Sequence, residues 1–322
     1  MLKNWILAAR PRTLPAAIAP VALGSALAKH YFYPFGISPV FGANGSGYFQ
    51  HGWHFLAVPA LCCAGFALFG QIAANFANDY LDGRRGADAT GRLGPTRAVS
   101  AGLITPRAML LATLVALALA AGSGLGTLFS PGWALVYGGG WKLVIIGVVC
   151  LTGALAYTPV AYFGFGEVFA LVYFGLVAVI GTYYVETVDW PPSPAIWAAA
   201  TACGLLAANI LLVNNIRDRA TDEQAGKRTL VVRVGRQWAQ RIYAINVFLV
   251  MFVTLLFFLV DLNLWLIPAL AAAVPLGVFF IRGLHAIPEG DGPRFNHLLA
   301  QSAQFMALWS FLMALGIVLA ER

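Results

Sequence analysis

Charge is what this chain has least of. Only 10% of its 322 residues are Asp, Glu, Lys or Arg, against about 25% in an ordinary soluble domain. A water-soluble globule is thereby excluded. Cysteine is scarce as well: Cys62, Cys63, Cys150 and Cys203 all lie in apolar runs. Their spacing offers neither a zinc centre nor a disulfide framework, and they read as small buried hydrophobes. The five histidines (His30, His51, His54, His285, His297) form no ligand pair at helical spacing. Segments of about ten residues with alternating polarity are missing too, which excludes an outer-membrane barrel.

What is present is 60% hydrophobic residues, gathered in runs such as "AMLLATLVALALAAGSGLGTLF". A helix satisfies its own backbone in hydrocarbon, and about 20 apolar residues span a bilayer. On that rule nine spans are expected, near 13–29, 54–77, 108–129, 141–158, 166–186, 194–214, 239–260, 263–281 and 300–319. The expected fold is a single all-α integral membrane domain over 1–322, its helices around a central cavity. "MLKNWILAARPR" does not read as a cleavable signal, because its first apolar patch is too short. It reads as an interfacial helix anchored by Trp5 and turning at Pro11.

Lysine and arginine favour the cytoplasmic side. With a cytoplasmic N-terminus, 17 of the 20 basic residues fall inside and only Lys29, Lys142 and Arg322 outside. The net charge of +7 is then a topology signal, and nucleic-acid binding is not expected.

Two polar stretches interrupt this pattern at cytoplasmic span ends: "NDYLDGRRGAD" (78–88) and "NNIRDRATDEQAGKRTL" (214–230). They hold six of the 13 acidic residues. Asn78 precedes Asp82 by four and Asn214 precedes Asp218 by four, a weak internal repeat that suggests two pseudo-symmetric halves. Asp79 and Asp82, and likewise Asp218 and Asp222, share a helix face. Stacked carboxylates repel one another and call for a divalent cation. Oxygen ligands completed by water and phosphate suit Mg²⁺, while Arg84, Arg85, Arg92, Arg97, Lys227 and Arg228 suit a polyphosphate. A solvated loop obeying the positive-inside rule accounts for the basic residues but not for the paired acids. "AGKRT" lacks the glycine spacing of a P-loop.

These two stretches resemble the aspartate-rich motifs of the UbiA-type intramembrane aromatic prenyltransferases. "ARPRTLPAAIAPVALGSALA", "GRLGPTRAVSAGLITP" and "GEVFALVYFGLVAVIGTYYVET" are similar to the branch that prenylates 1,4-dihydroxy-2-naphthoate on the way to menaquinone. The resemblance spans about residues 8–240. It implies nine helices around a cavity, capped by motif loops 78–107 and 214–236. It implies Mg²⁺-dependent transfer of a prenyl group from a long-chain allylic diphosphate to the ring, with loss of CO2, in the cytoplasmic membrane.

Carried over by position, Asp79, Asp82, Asp218 and Asp222 hold metal, in the form of two ions bridged by diphosphate. Asn75, Asn78, Arg85, Arg97, Tyr157, Asn214 and Lys227 contact substrate. The third acid of the superfamily's first motif falls where this chain has Gly86; Asp88 is displaced, as in the naphthoate branch, and is a further metal candidate. Phe76, Tyr80, Tyr162, Tyr183 and Tyr184 are additional aromatic candidates near a carbocation, Glu167 and Glu186 are acids at span ends, and Arg12 could meet the acceptor's carboxylate or anchor the first span. The expected partners are the two substrates and the bilayer, with no nucleic acid or protein partner. Other aromatic acceptors such as 4-hydroxybenzoate are the nearest alternative. A transporter is the alternative of another class, disfavoured because its ionisable groups belong near mid-membrane, and a non-catalytic scaffold leaves the duplicated acids unexplained.

Overall fold

Nine long helices occur among the described residues of the computed structural model, and they match the nine apolar segments in order. The structure describes residues 2–32, 37–41, 47–51, 54–85, 93–94, 97–129, 140–187, 190–261 and 263–320. Helix α1 (Leu2–Ala9) is short, and Trp5 packs edge-on against Phe76 at 5.8 Å. A 3-10 turn at Pro11–Thr13 redirects the chain into α2 (Pro15–Phe32). A small antiparallel hairpin, Ile37–Phe41 with Gly47–His51, is the one departure from an all-helical chain among the described residues. Helices α3 (His54–Arg85), α4 (Pro106–Gly126) and α5 (Gly140–Tyr162) follow. The rod α6 (Gly166–Thr187) is wound as a π-helix from Leu171 to Ile180. Then come α7 (Pro194–Gln224), the one-turn α8 (Leu230–Val234), α9 (Arg236–Asp261), α10 (Ile267–Ala286) and α11 (Gly292–Leu319).

Eight of these rods are long and apolar enough to cross a bilayer. The ninth, α2, is diluted by Pro20, Ser25, Lys29 and His30. It packs against α3, α6 and α11 inside the bundle, where apolarity toward lipid matters less. At the centre stands α7, with 67% of its most apolar window buried against 17% for α5. Small residues make its closest crossing. A Cβ on Gly175 would sit 2.5 Å from the Ala200 carbonyl oxygen and 2.7 Å from the Gly204 Cα, and a Cβ on Gly204 would collide with the Leu171 carbonyl. Small residues at such crossings let backbones touch, which is how helices associate where lipid removes the hydrophobic drive. Buried amides add glue: Asn246 Nδ2 donates to Asn209 Oδ1 at 2.8 Å, and Trp309 Nε1 donates to Thr254 Oγ1 at 2.9 Å.

Two helices run well past their apolar limits. The expected loops 78–107 and 214–236 start later, because α3 stays helical to Arg85 and α7 to Gln224. Hydropathy marks where lipid ends, not where the helix does. Their last turns persist because the cavity-facing polar side chains, among them Asp79, Asp82, Arg217, Asp218 and Asp222, are buried and paired inside the protein.

Candidate active site

The C-terminal turns of α3 and α7 face one cavity of about 610 Å³, a size typical of small-molecule sites. Its mouth is polar and its depth apolar. Asn75, Asn78, Asp79, Asp82, Arg97, Asn214, Arg217, Asp218, Asp222 and Lys227 all reach it. Nine of the candidate side chains are thus brought together with Arg217, while Tyr157 lines the wall below them. Asp88 lies outside the described residues, as do the side chains of Arg85 and Arg12.

Asp82 is the hub. It is fully buried, its Oδ1 accepts from the Tyr162 hydroxyl at 3.1 Å, and Oδ2 faces Arg97 at 2.5 Å and Lys227 at 3.7 Å. Lys227 also reaches Asp222 at 3.5 Å and lies 4.9 Å from the Tyr162 ring centre. One ammonium therefore ties an acid of the first motif to an acid of the second. Gly226, at φ 72, lets the chain turn back so that the Lys227 amide bonds the Asp222 carbonyl at 2.8 Å. That is the left-handed C-terminal turn glycine favours. The same loop is stapled to the end of α5: the Arg228 amide donates to the Tyr162 carbonyl at 2.9 Å, and Arg233 Nη2 donates to the Phe163 carbonyl at 2.8 Å.

Asp79, grouped on spacing with the acids expected to bind metal, is hydrogen-bonded to backbone instead. Its two oxygens each accept a backbone amide, from Ala98 and Val99, both at 3.0 Å. The carboxylate anchors the turn that carries Arg97, whose Nη1 donates to the Asn78 carbonyl at 2.8 Å. Spacing placed Asp79 beside Asp82, but three residues on a helix leave side chains free to diverge. Asp79→Asn sets an amide donor against backbone donors. We expect faster proteolytic cleavage around 97–101 and about tenfold slower turnover, a loss in the range of one or two kcal/mol for a charged hydrogen bond. The Mg²⁺ concentration for half-maximal rate should stay put; a large rise would assign Asp79 to the metal after all.

Asn78 is committed on both sides, accepting from Arg10 at 3.0 Å and donating to Thr158 at 3.1 Å. Asn75 donates to the Ala9 carbonyl at 3.0 Å, docking α1 beneath the cavity. In the second motif Arg217 is the centre. Its Nε and Nη2 fork the Asp218 carboxylate at 2.7 and 2.5 Å, Nη2 also bonds Asn214 Oδ1 at 2.9 Å, and Nη1 bonds Asn296 Oδ1 at 2.7 Å. Asn296 in turn donates to the Leu93 carbonyl at 3.3 Å. Below this polar tier, Tyr157, Phe169 and Tyr173 form an aromatic ladder. The first pair of rings lies 5.6 Å apart, and the second is stacked at 4.0 Å and 8°. Tyr184 also lines the cavity, whereas Tyr183 is buried in the main core and Phe76 packs on Trp5. Buried Glu167 accepts from Asn215 at 2.8 Å, and Glu186 accepts from Ser25.

Sequence reasoning missed Arg10, Thr158, Arg217 and Asn296. Arg217 counts in the sequence only among the basic residues of the cytoplasmic side; adjacent to Asp218 it leaves the helix on a different face, and its length brings the guanidinium round to that carboxylate. Asn296 lies between Arg294 and His297 ahead of the last apolar run, and nothing in local spacing links it to either motif.

The donors fit a hard cation. They are oxygen donors throughout, and Asp82 Oδ2 makes ion pairs but no hydrogen bond. Among the described residues no three acidic, His or Cys side chains converge on one point. Mg²⁺ needs no such cluster, because it is usually held by one or two carboxylates with water and substrate phosphate. Asp82, Asp218 and Asp222 are the residues placed to serve.

The comparisons agree with this architecture. The chain is 36% identical over 321 residues to the 1,4-dihydroxy-2-naphthoate octaprenyltransferase of Mycobacterium tuberculosis (strain ATCC 25618 / H37Rv), covering 97% of this chain and 95% of that one. It is 34% identical to the Escherichia coli (strain K12) protein of the same description, covering 98% and 96%. A solved UbiA homolog from Archaeoglobus fulgidus bound to DMAPP and Mg²⁺ shares the fold, with a TM-score of 0.55 over 95% of this chain and 99% of that one at 17% identity. The model of the UbiA prenyltransferase family matches residues 36–311, and with these relatives it makes the chain a member of that family.

Proposed function

We propose that this protein transfers a long-chain prenyl group from an allylic isoprenyl diphosphate to 1,4-dihydroxy-2-naphthoate, releasing diphosphate and CO2. The observation that carries the reading is a mouth where both motifs contribute acids and cations, set above an aromatic-walled apolar cavity. The names of the full-length relatives support the acceptor, and the ligands of the Archaeoglobus fulgidus homolog support the donor and metal.

Lys227 and Arg97 are placed to meet the diphosphate, a point charge and a planar fork for its oxygens. Asp82, Asp218 and Asp222 would hold Mg²⁺, in our reading two ions. Magnesium, when bound, supplies positive charge against the charge that builds on the departing diphosphate. The C–O bond to diphosphate breaks with its electron pair on oxygen. Tyr157, Phe169 and Tyr173 line the wall beside the allylic cation left behind, where a ring face turned to it contributes about 0.5–2 kcal/mol. The ring carbon bearing the carboxylate attacks, and the C–CO2 bond then breaks, returning its electrons to the ring. No oxidant is consumed. Apolar side chains such as Leu143, Ile146, Leu151 and Val177 line the deeper cavity for the prenyl tail.

The distribution of lysine and arginine supports a cytoplasmic N-terminus, with both motif ends and the cavity mouth on that side and the whole chain one polytopic domain. The test feeds membranes containing the protein a long-chain isoprenyl diphosphate, with dihydroxynaphthoate or 4-hydroxybenzoate as acceptor. Decarboxylated prenyl-naphthol is expected with Mg²⁺, and its formation should fall to background with EDTA. Product from 4-hydroxybenzoate alone would overturn the acceptor assignment while keeping the chemistry.

A further inference from the structure

Arg217 stands out among the cavity-lining cations. It is almost wholly buried, its guanidinium takes both oxygens of Asp218, and it still lines the cavity where diphosphate would lie. Asp218 is therefore not a bare carboxylate awaiting an ion. A metal and a guanidinium compete for the same two oxygens, and a buried cation separated from its partner is strongly disfavoured. Mg²⁺ alone would gain Asp218 and leave Arg217 uncompensated. With diphosphate present the fork has a second planar set of oxygens to take, and Asn214 and Asn296 hold the guanidinium at the mouth while it exchanges.

We propose that Arg217 is a diphosphate-binding residue held in reserve on Asp218, and that this exchange makes Mg²⁺ and diphosphate bind cooperatively. The inference rests on the reading of the mouth as a Mg²⁺–diphosphate site and goes beyond it, since it names the residue that links the two ligands. Coupling of this kind is reciprocal: each ligand raises the affinity of the other by the same factor. The exchange also gives a reason for the site to take up metal with its substrate rather than ahead of it.

The test uses calorimetry and thermal melting on the purified full chain in detergent, with MgCl2, inorganic diphosphate, or both. For the wild type, diphosphate should tighten Mg²⁺ binding at least tenfold, and the rise in melting temperature with both should exceed the sum of the separate rises. Arg217→Gln removes the competitor and the recipient together. It should bind Mg²⁺ alone more tightly than the wild type does, and the coupling factor should fall well below the wild-type value, leaving only what direct contact between Mg²⁺ and diphosphate supplies. Arg217→Lys keeps the charge without the fork and should lie between. A residue of purely structural importance would lower stability in every condition without changing the coupling factor. If Arg217→Gln retains the wild-type coupling, or binds Mg²⁺ alone no better, the proposal is overturned. If it does not fold, the Arg217→Lys coupling factor decides in the same way. Wild-type protein that binds both ligands independently would sink this inference alone; wild-type protein that binds neither, alone or together, would sink the reading of the mouth as well.

Discussion

Asp82→Asn is expected to reduce turnover about a thousandfold or more while the protein stays folded in detergent. The size follows from what is removed: a buried negative charge at the point where Arg97, Lys227 and the Tyr162 hydroxyl converge. Deleting one preorganised electrostatic group from a dry site commonly costs about 10²–10³ in rate, and on the proposed function Mg²⁺ would lose a ligand in addition. The fold should survive, because Arg97 keeps the Asn78 carbonyl and Lys227 keeps Asp222. A melt within several degrees of wild type, with turnover near background, is the anticipated pair of results. Asp218→Asn should lose turnover to the same degree but melt lower, because it strands the buried guanidinium of Arg217. Near-wild-type rates in both purified variants would remove the two-motif mechanism.

Gly204→Leu should abolish the fold rather than the chemistry. Its Cβ would enter the Leu171 carbonyl and press on the Gly175 Cα, and both obstacles are backbone. No rotamer relieves a backbone collision, so α6 and α7 must separate. Overpacking commonly costs about 1–3 kcal/mol and sometimes more, and a clash at the bundle's central crossing belongs at or beyond the upper end. The measurement is the fraction of protein running as a single sharp peak in size exclusion after detergent extraction, together with its melting temperature. A variant that extracts and melts like the wild type would show that the crossing is looser than described.

Much of this architecture was legible in the chain, and the reasons for the remainder are physical. Apolar runs located the long helices among the described residues, because bilayer thickness imposes a length that composition reveals. They misjudged where α3 and α7 end, since 78–85 and 214–224 are polar yet helical, with Asn78, Asp79, Asp82, Asn214, Arg217, Asp218 and Asp222 paired inside the protein. Repeated Asn-to-Asp spacing brought Asp82, Asp218 and Asp222 to notice. It could not separate Asp79, because a carboxylate bound to backbone amides nineteen and twenty residues away leaves no mark in local spacing. The same holds for Asn296, which reaches the site from the last helix through Arg217. Stacked acids were expected to need a metal to stand together. Instead Arg97, Arg217 and Lys227 already oppose them.

The long bridge from Asn296 to Leu93 also sets a schedule for biosynthesis. The two residues are 203 apart in sequence, and at a translation rate of about 5–20 residues per second roughly 10–40 s separate their emergence from the ribosome. Over that interval the first motif is in place and the cavity wall from Gly124 to Thr229 is still being made, and the amide that joins Arg217 to the opposite rim follows both. The nascent chain therefore waits for its last helix before its catalytic mouth is complete, and a truncated product lacking that helix would occupy membrane without the finished site.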